Sequence, residues 1–270
     1  MDSRLNTYTL STFNDDGHSF PVYKKAPSES GAHSPAIIVM HEVPGIYPAV
    51  IDFSERLIAQ GYTVYMPSLI GEPGKDFSMG YVLSSMGKAC ISREFHVLAK
   101  RESSPITNSL RALCRQAHKE CGGVGVGAIG MCLTGNFALS LMVDDSVMAP
   151  VLSQPSLPFP VSKAHKRALH VSDSELQCIK QRVKEENVKV LGLRFTQDPM
   201  CPPERFERLS EELGNGFEAI EIDSAVGNSF GVPKAAHSVV TRDLVDEAGH
   251  PTQAALNRVL AFFAHALHAP

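Results

Sequence analysis

Nowhere does the chain approach the roughly 18 consecutive apolar residues of a membrane span, and no membrane association is expected. The opening residues Met1 to Phe13 lack the positive start, apolar run and small-residue cleavage site of a secretory signal, which makes the cytoplasm the expected location. There is no C-x-x-C pair and no His-Glu-x-x-His run, the spacings that hold zinc, so no metal is expected. The six cysteines at positions 90, 114, 121, 132, 178 and 201 have no disulfide-framework rhythm and read as free thiols. A basic excess is missing too: 25 Lys and Arg stand against 29 Asp and Glu, a net charge of −4. No field gathers phosphates, and nucleic acid is not an expected partner. Repeats, low-complexity tracts and linkers are absent, and the proline-rich segment Pro150–Pro160 reads as a loop. One domain over residues 1–270 follows, as monomer or small homo-oligomer.

What is present is an ordinary enzyme-like composition, 43% hydrophobic, 20% charged and 7% aromatic. Thr7–Phe13 and Ser19–Tyr23 flank the turn Asn14-Asp15-Asp16-Gly17 and predict an N-terminal hairpin. Ala36–Met40 is a continuous apolar run of the kind buried on both faces of a parallel sheet, and Asp52–Gln60 then shows helical spacing. Strand Tyr62–Met66 leads into a long irregular stretch, Pro67–Ser103, placed to cover a site. A helix over 105–120 comes next, followed by strand Val124–Ile129 and helix Asn136–Val143. Strand Val147–Leu152, helix Ser174–Glu186, strand Val188–Phe195, helix Pro203–Leu213, strand Phe217–Ile222 and helix Thr252–Leu267 complete the series. This alternation predicts an α/β fold, a mostly parallel sheet wrapped by helices.

The strongest chemical signal is Gly130-Met131-Cys132-Leu133-Thr134-Gly135, where a buried strand turns into a helix. It is close to the nucleophile elbow, with cysteine in place of serine and the second glycine one position later than in G-x-S-x-G. Free cysteines are usually packing residues, but the strand–turn–helix context favours presentation of Cys132 at the sheet edge, where a helix N-terminus favours a thiolate. In this fold the acid and base follow the nucleophile in that order. Asp198 comes directly after strand Val188–Phe195, where a carboxylate can orient an imidazole; turn aspartates before proline are also common. Two histidines compete for the base. His250 abuts a helix start and suits a cap, whereas His237 lies mid-loop among small residues that let the ring reach a cleft, so His237 is preferred.

These residues, with Glu42 in the loop His41-Glu42-Val43-Pro44-Gly45, make the chain resemble the dienelactone hydrolase family from about Ala36 to Phe263. The resemblance implies an α/β-hydrolase fold, here with an N-terminal β-hairpin, and an enzyme that opens enol-lactones without metal or organic cofactor. By the same resemblance Glu42 contacts the resting thiol and helps to form the thiolate, and Val43 and Leu133 supply the oxyanion-hole N–H groups. The family also grips a substrate carboxylate with two arginines. Thr241 occupies the position expected for one, with Arg242 a step later, and Arg93 is the best placed counterpart of the second, ahead of Arg101. The implied partner is a small-molecule lactone or activated ester. Another thioesterase or esterase on this scaffold, and a non-catalytic binding module that retains the elbow, are the rival readings.

Overall fold

The computed structural model describes residues 1–28 and 34–268. One eight-stranded sheet runs through it: β1 (Thr9–Asp15), β2 (His18–Lys25), β3 (Ala36–Met40), β4 (Thr63–Pro67), β5 (Val126–Met131), β6 (Val147–Ser153), β7 (Val190–Phe195) and β8 (Phe217–Ile222). The strand order is β1-β2-β4-β3-β5-β6-β7-β8; β1 and β2 are antiparallel, β2 meets β4 antiparallel, and β3 through β8 run parallel. The hairpin turn is the two-residue type, with Asp16 and Gly17 both at positive φ, as the strand twist requires.

Successive side chains of a strand point to opposite faces, and this periodicity divides the core. Ile38, Met40 and Ala128 pack with α3 (Ile106–Cys121), α4 (Phe137–Leu141), α6 (Asp173–Glu185) and α7 (Pro203–Leu213). Ile37, Val39, Ile129 and Met131 pack with α1 (Pro48–Ala59) and α8 (Pro251–Leu267) on the other side. The apolar runs of β3 and β5 are continuous because both faces are covered.

The expected elements are present, with shifted ends. The first strand starts at Thr9 because Ser3–Thr7 form a 3₁₀ turn capped by Asp2. Helix α1 begins at Pro48, earlier than Asp52, since proline suits the first turn. The stretch Pro67–Ser103 is not wholly irregular: α2 (Met79–Ile91) lies within it, capped by the Ser78 hydroxyl. Its buried stripe is Tyr81, Ser85 and Ala89, two of them small, and it contains Gly80 and Gly87, so both amphipathicity and propensity are faint. The short α5 (Lys163–Arg167) buries none of its residues and carries no apolar signal. No helix among the described residues is long and apolar enough to cross a membrane.

Candidate active site

The elbow is built by close approach. Cys132 follows β5 directly and sits at φ +55°, a strained conformation for a residue with a side chain. A Cβ on Gly130 would lie 2.0 Å from the Thr134 carbonyl oxygen, and one on Gly135 would lie 2.4 Å from Pro155 Cα. The second contact explains the shifted glycine, because position 135, rather than 134, is what passes the β6 loop. Thr134 instead ties the elbow to the end of β3, since its hydroxyl accepts from Met131 N (2.9 Å) and donates to the Met40 carbonyl (2.9 Å). The Cys132 carbonyl accepts from Gly135 N (3.0 Å) and Ser156 N (2.9 Å), and its sulfur accepts from the Ser156 hydroxyl at 3.6 Å.

The structure brings Asp198 and His237 to this thiol. Asp198 is buried in the turn after β7; its Oδ1 accepts from Met200 N (2.9 Å) and its Oδ2 from His237 Nδ1 (2.6 Å). A carboxylate only accepts, so the proton is on Nδ1 and Nε2 is left for Cys132. Burial works against charge on the His237 imidazole, but the Cys132 sulfur and the Asp198 carboxylate outweigh it and hold the ring well above its ordinary 6.5. His250 lies elsewhere: it caps α8, with its Nδ1 against the Thr252 hydroxyl (2.7 Å), and its ring meets Phe230 edge-on.

Glu42 is 2% exposed and its carboxylate is bound by four neutral donors. Tyr47 OH (2.6 Å) and the Thr241 hydroxyl donate to Oε1, while the Ser238 hydroxyl (2.7 Å) and Gln154 Nε2 (3.1 Å) donate to Oε2. Among the described residues, none of its hydrogen bonds goes to Cys132. The Val43 N–H donates to no protein acceptor among the described residues, and the Leu133 N–H lies in the first turn after the elbow, where no intrahelical partner exists. Beside them, His41 is neutral and structural: its Nδ1–H donates to the Glu42 carbonyl (2.9 Å), its Nε2 accepts from Leu69 N (3.0 Å), and burial pushes it down to about 4.

Arg242 stacks 5.2 Å over the Phe77 ring and pairs with Asp243 (3.0 Å). Asp243 in turn accepts the backbone amides of His237 (2.7 Å) and Ser238 (2.8 Å). Burial opposes its ionisation, yet Arg242 and the two amides hold its carboxyl below the ordinary range. Arg93 is exposed on the connection between α2 and α3 and makes no hydrogen bond or ion pair with a site residue among the described residues, and Arg101 pairs with Asp173 at the surface (3.7 Å). The connection packs onto the β6 loop through Phe159 N donating to the Val97 carbonyl (2.9 Å). With the Ser68–Gly71 loop and the hairpin turn, the same stretch walls a cavity of about 580 Å³ lined by His18, Phe20, Ile70, Lys88, Glu94 and Phe95 among others.

Sequence reasoning does not single out Tyr47, Gln154, Ser156, Ser238 or Asp243. Gln154, Ser156 and Ser238 act across loops distant in the chain, while Tyr47 and Asp243 act within their own loops, and no local motif marks either kind of contact. The positive φ of Gln154 (+35°) is likewise visible only in three dimensions. Among the described residues, no three His, Cys, Asp or Glu side chains cluster so as to hold a metal ion, and the six cysteines are unbonded.

A mostly parallel sheet whose β5 ends in a left-handed elbow, with a carboxylate after β7 and a histidine before the last helix, defines an α/β-hydrolase. The sequence model of the dienelactone hydrolase family matches residues 20–267, and the chain belongs to that family. Solved structures agree on the fold. A provisionally assigned dienelactone hydrolase from Klebsiella pneumoniae subsp. pneumoniae MGH 78578 superposes with a TM-score of 0.64 at 18% identity, covering 95% of this chain and 97% of that one. Dienelactone hydrolase from Anabaena variabilis ATCC 29413 gives 0.58 at 13% identity, with 96% and 98% covered. An α/β serine hydrolase without lid from Xanthomonas campestris gives 0.57 at 10% identity, with 97% and 96% covered. Nucleophile chemistry is therefore not a property of the fold. No curated protein matches the chain.

Proposed function

We propose that this member of the family hydrolyses lactones or activated esters with Cys132 as nucleophile, His237 as proton carrier and Asp198 as the group that orients it. The reading is carried by one observation: the left-handed Cys132 faces an imidazole whose Nδ1 is fixed on Asp198 at 2.6 Å. The Cys132 thiolate attacks the carbonyl carbon, forming the C–S bond, while the Val43 and Leu133 amides receive the developing oxyanion. Collapse breaks the C–O bond, and the His237 imidazolium gives its proton to the departing oxygen. The thiolate charge that held His237 protonated is then gone, and burial pulls the ring towards neutrality. It can now take a proton from water, which attacks the thioester and releases the acid, restoring thiolate and imidazolium. Arg242, fixed by Asp243 and Phe77, has donors left over for a substrate carboxylate. Arg93, exposed on the neighbouring connection, stands as the second such group. The reaction calls for no cofactor, and the partner is the small-molecule substrate of a cytoplasmic enzyme.

The thiolate sets the substrate class. A tetrahedral intermediate expels its better leaving group, and an ordinary thiol, at about 8.5, ionises far more readily than an alkyl alcohol, so an alkyl ester returns to starting material. Enol and aryl leaving groups escape this. In a panel of enol-lactones, p-nitrophenyl esters, ethyl esters and acyl thioesters, kcat/KM for the first two is expected to exceed that for ethyl esters by at least about tenfold, equivalent to about 1.4 kcal/mol of barrier. Turnover confined to acyl thioesters would assign the enzyme to thioester hydrolysis, and inertness towards the whole panel would leave a binding module.

A further inference from the structure

We propose that Glu42 is a positioning residue that holds the His237 loop and the Val43 amide in register with Cys132, rather than the proton acceptor of the thiol; the inference rests on the nucleophile reading above. A carboxylate has about four lone-pair sites, and here four donors take them: Tyr47 and Thr241 on Oε1, Ser238 and Gln154 on Oε2. No site is left for a thiol proton. The Ser156 hydroxyl, rather than Glu42, is a hydrogen-bonding side chain beside the Cys132 sulfur (3.6 Å).

The donors come from the elements that must stay aligned. Ser238 and Thr241 follow His237 by one and four residues, so two hydroxyls of the base's own loop end on Glu42. Gln154 belongs to the β6 loop, two residues before Ser156, and its side-chain carbonyl oxygen also accepts from Val239 N (3.4 Å), a second tie to the His237 loop. Tyr47 stands at the end of the turn that carries Val43 into α1, at the residue before the helix. A buried carboxylate is sustained by such donors, and hydrogen bonds to a charged acceptor are stronger than neutral ones. Glu42 is the knot of three loops: one bears the oxyanion amide, one backs the sulfur and one bears the base. The opposite side of the His237 loop is held by Asp243, through the amides of His237 and Ser238.

The test uses the full chain with p-nitrophenyl acetate and iodoacetamide as probes, comparing Glu42→Gln, Thr241→Val, Thr241→Ser and Ser238→Ala. Loosening a positioned group is expected to lower kcat by about 10- to 100-fold in Glu42→Gln at every pH, with KM little changed. Thr241→Val should fall in the same direction and Thr241→Ser, which keeps the donor, should stay near wild type. The pH profile of Cys132 alkylation in Glu42→Gln should overlay that of wild type. The inference is overturned if Glu42→Gln slows alkylation near neutral pH and recovers on the alkaline side. It is equally overturned if Thr241→Val and Ser238→Ala both leave kcat unchanged, a result that counts even if Glu42→Gln does not fold. Cys132→Ala is the control that separates the two claims. Retained turnover there removes the nucleophile reading itself, whereas an inert Cys132→Ala together with a shifted alkylation profile removes only the role given to Glu42.

Discussion

Cys132→Ala is expected to lose turnover of every activated ester, by about 10⁴- to 10⁶-fold, as removal of a nucleophile from a triad does elsewhere. Cys114→Ala and Cys121→Ala should stay near wild type in kcat. The contrast follows from surroundings rather than from residue type. Cys114 is fully buried on α3 among apolar neighbours, and burial pushes its thiol up, so it is a neutral packing group. Cys201 is also fully buried and is pushed up to about 12. Cys121 ends α3 beside the Tyr65 hydroxyl (3.7 Å), remote in the fold from the elbow. Among the described residues, Cys132 is the cysteine that faces the His237 imidazole. Steady-state rates on p-nitrophenyl acetate, with circular dichroism to show folding, decide the matter. Loss of all activity in a folded Cys114→Ala alongside an active Cys132→Ala would sink the elbow reading.

His237→Ala should be the second most damaging change, lowering kcat by about 10²- to 10⁴-fold, the range for removal of a general acid–base group. The ring acts twice in the cycle, protonating the leaving oxygen and activating water, and it connects Asp198 with Cys132. His250→Ala should act on stability alone. Its ring caps α8 by accepting from Thr252 N (3.3 Å), and losing an N-cap costs about 0.5–2 kcal/mol. A thermal melt and a rate measurement on each variant separate the two. A His250→Ala enzyme that melts like wild type but has lost its turnover would reverse the assignment.

The succession of core strands and the position of the elbow were legible in the sequence because both rest on local signals. Buried runs such as Ala36–Met40 mark strands covered on both faces, and Gly130 and Gly135 mark the close approach of backbones. The order of nucleophile, acid and base then pointed to Asp198 and to a choice of two histidines. What separates those histidines is in part local, the capping bond of His250 to Thr252 at a helix start, and in part tertiary, the bond of His237 to Asp198 across 39 residues of chain. Helix α2 was hidden by its glycines and small buried side chains. Glu42 was noticed through the family resemblance, but its partners were not, since Tyr47, Gln154, Ser238 and Thr241 converge from loops far apart in the chain. In sequence Thr241 marks only the place of a missing arginine; in the folded chain its hydroxyl is bound to Glu42.

The most direct test of the account is to locate the acyl group during turnover. With His237→Ala the base for deacylation is gone, and the reaction is run above about pH 8.5, where an ordinary thiol ionises without a base. Mixing this variant with p-nitrophenyl acetate should release one equivalent of p-nitrophenolate and leave one acetyl group per chain, which peptide mass mapping should place on Cys132. An acetyl group on Ser156, whose hydroxyl lies 3.6 Å from the same sulfur, or on any other residue would contradict the cysteine mechanism.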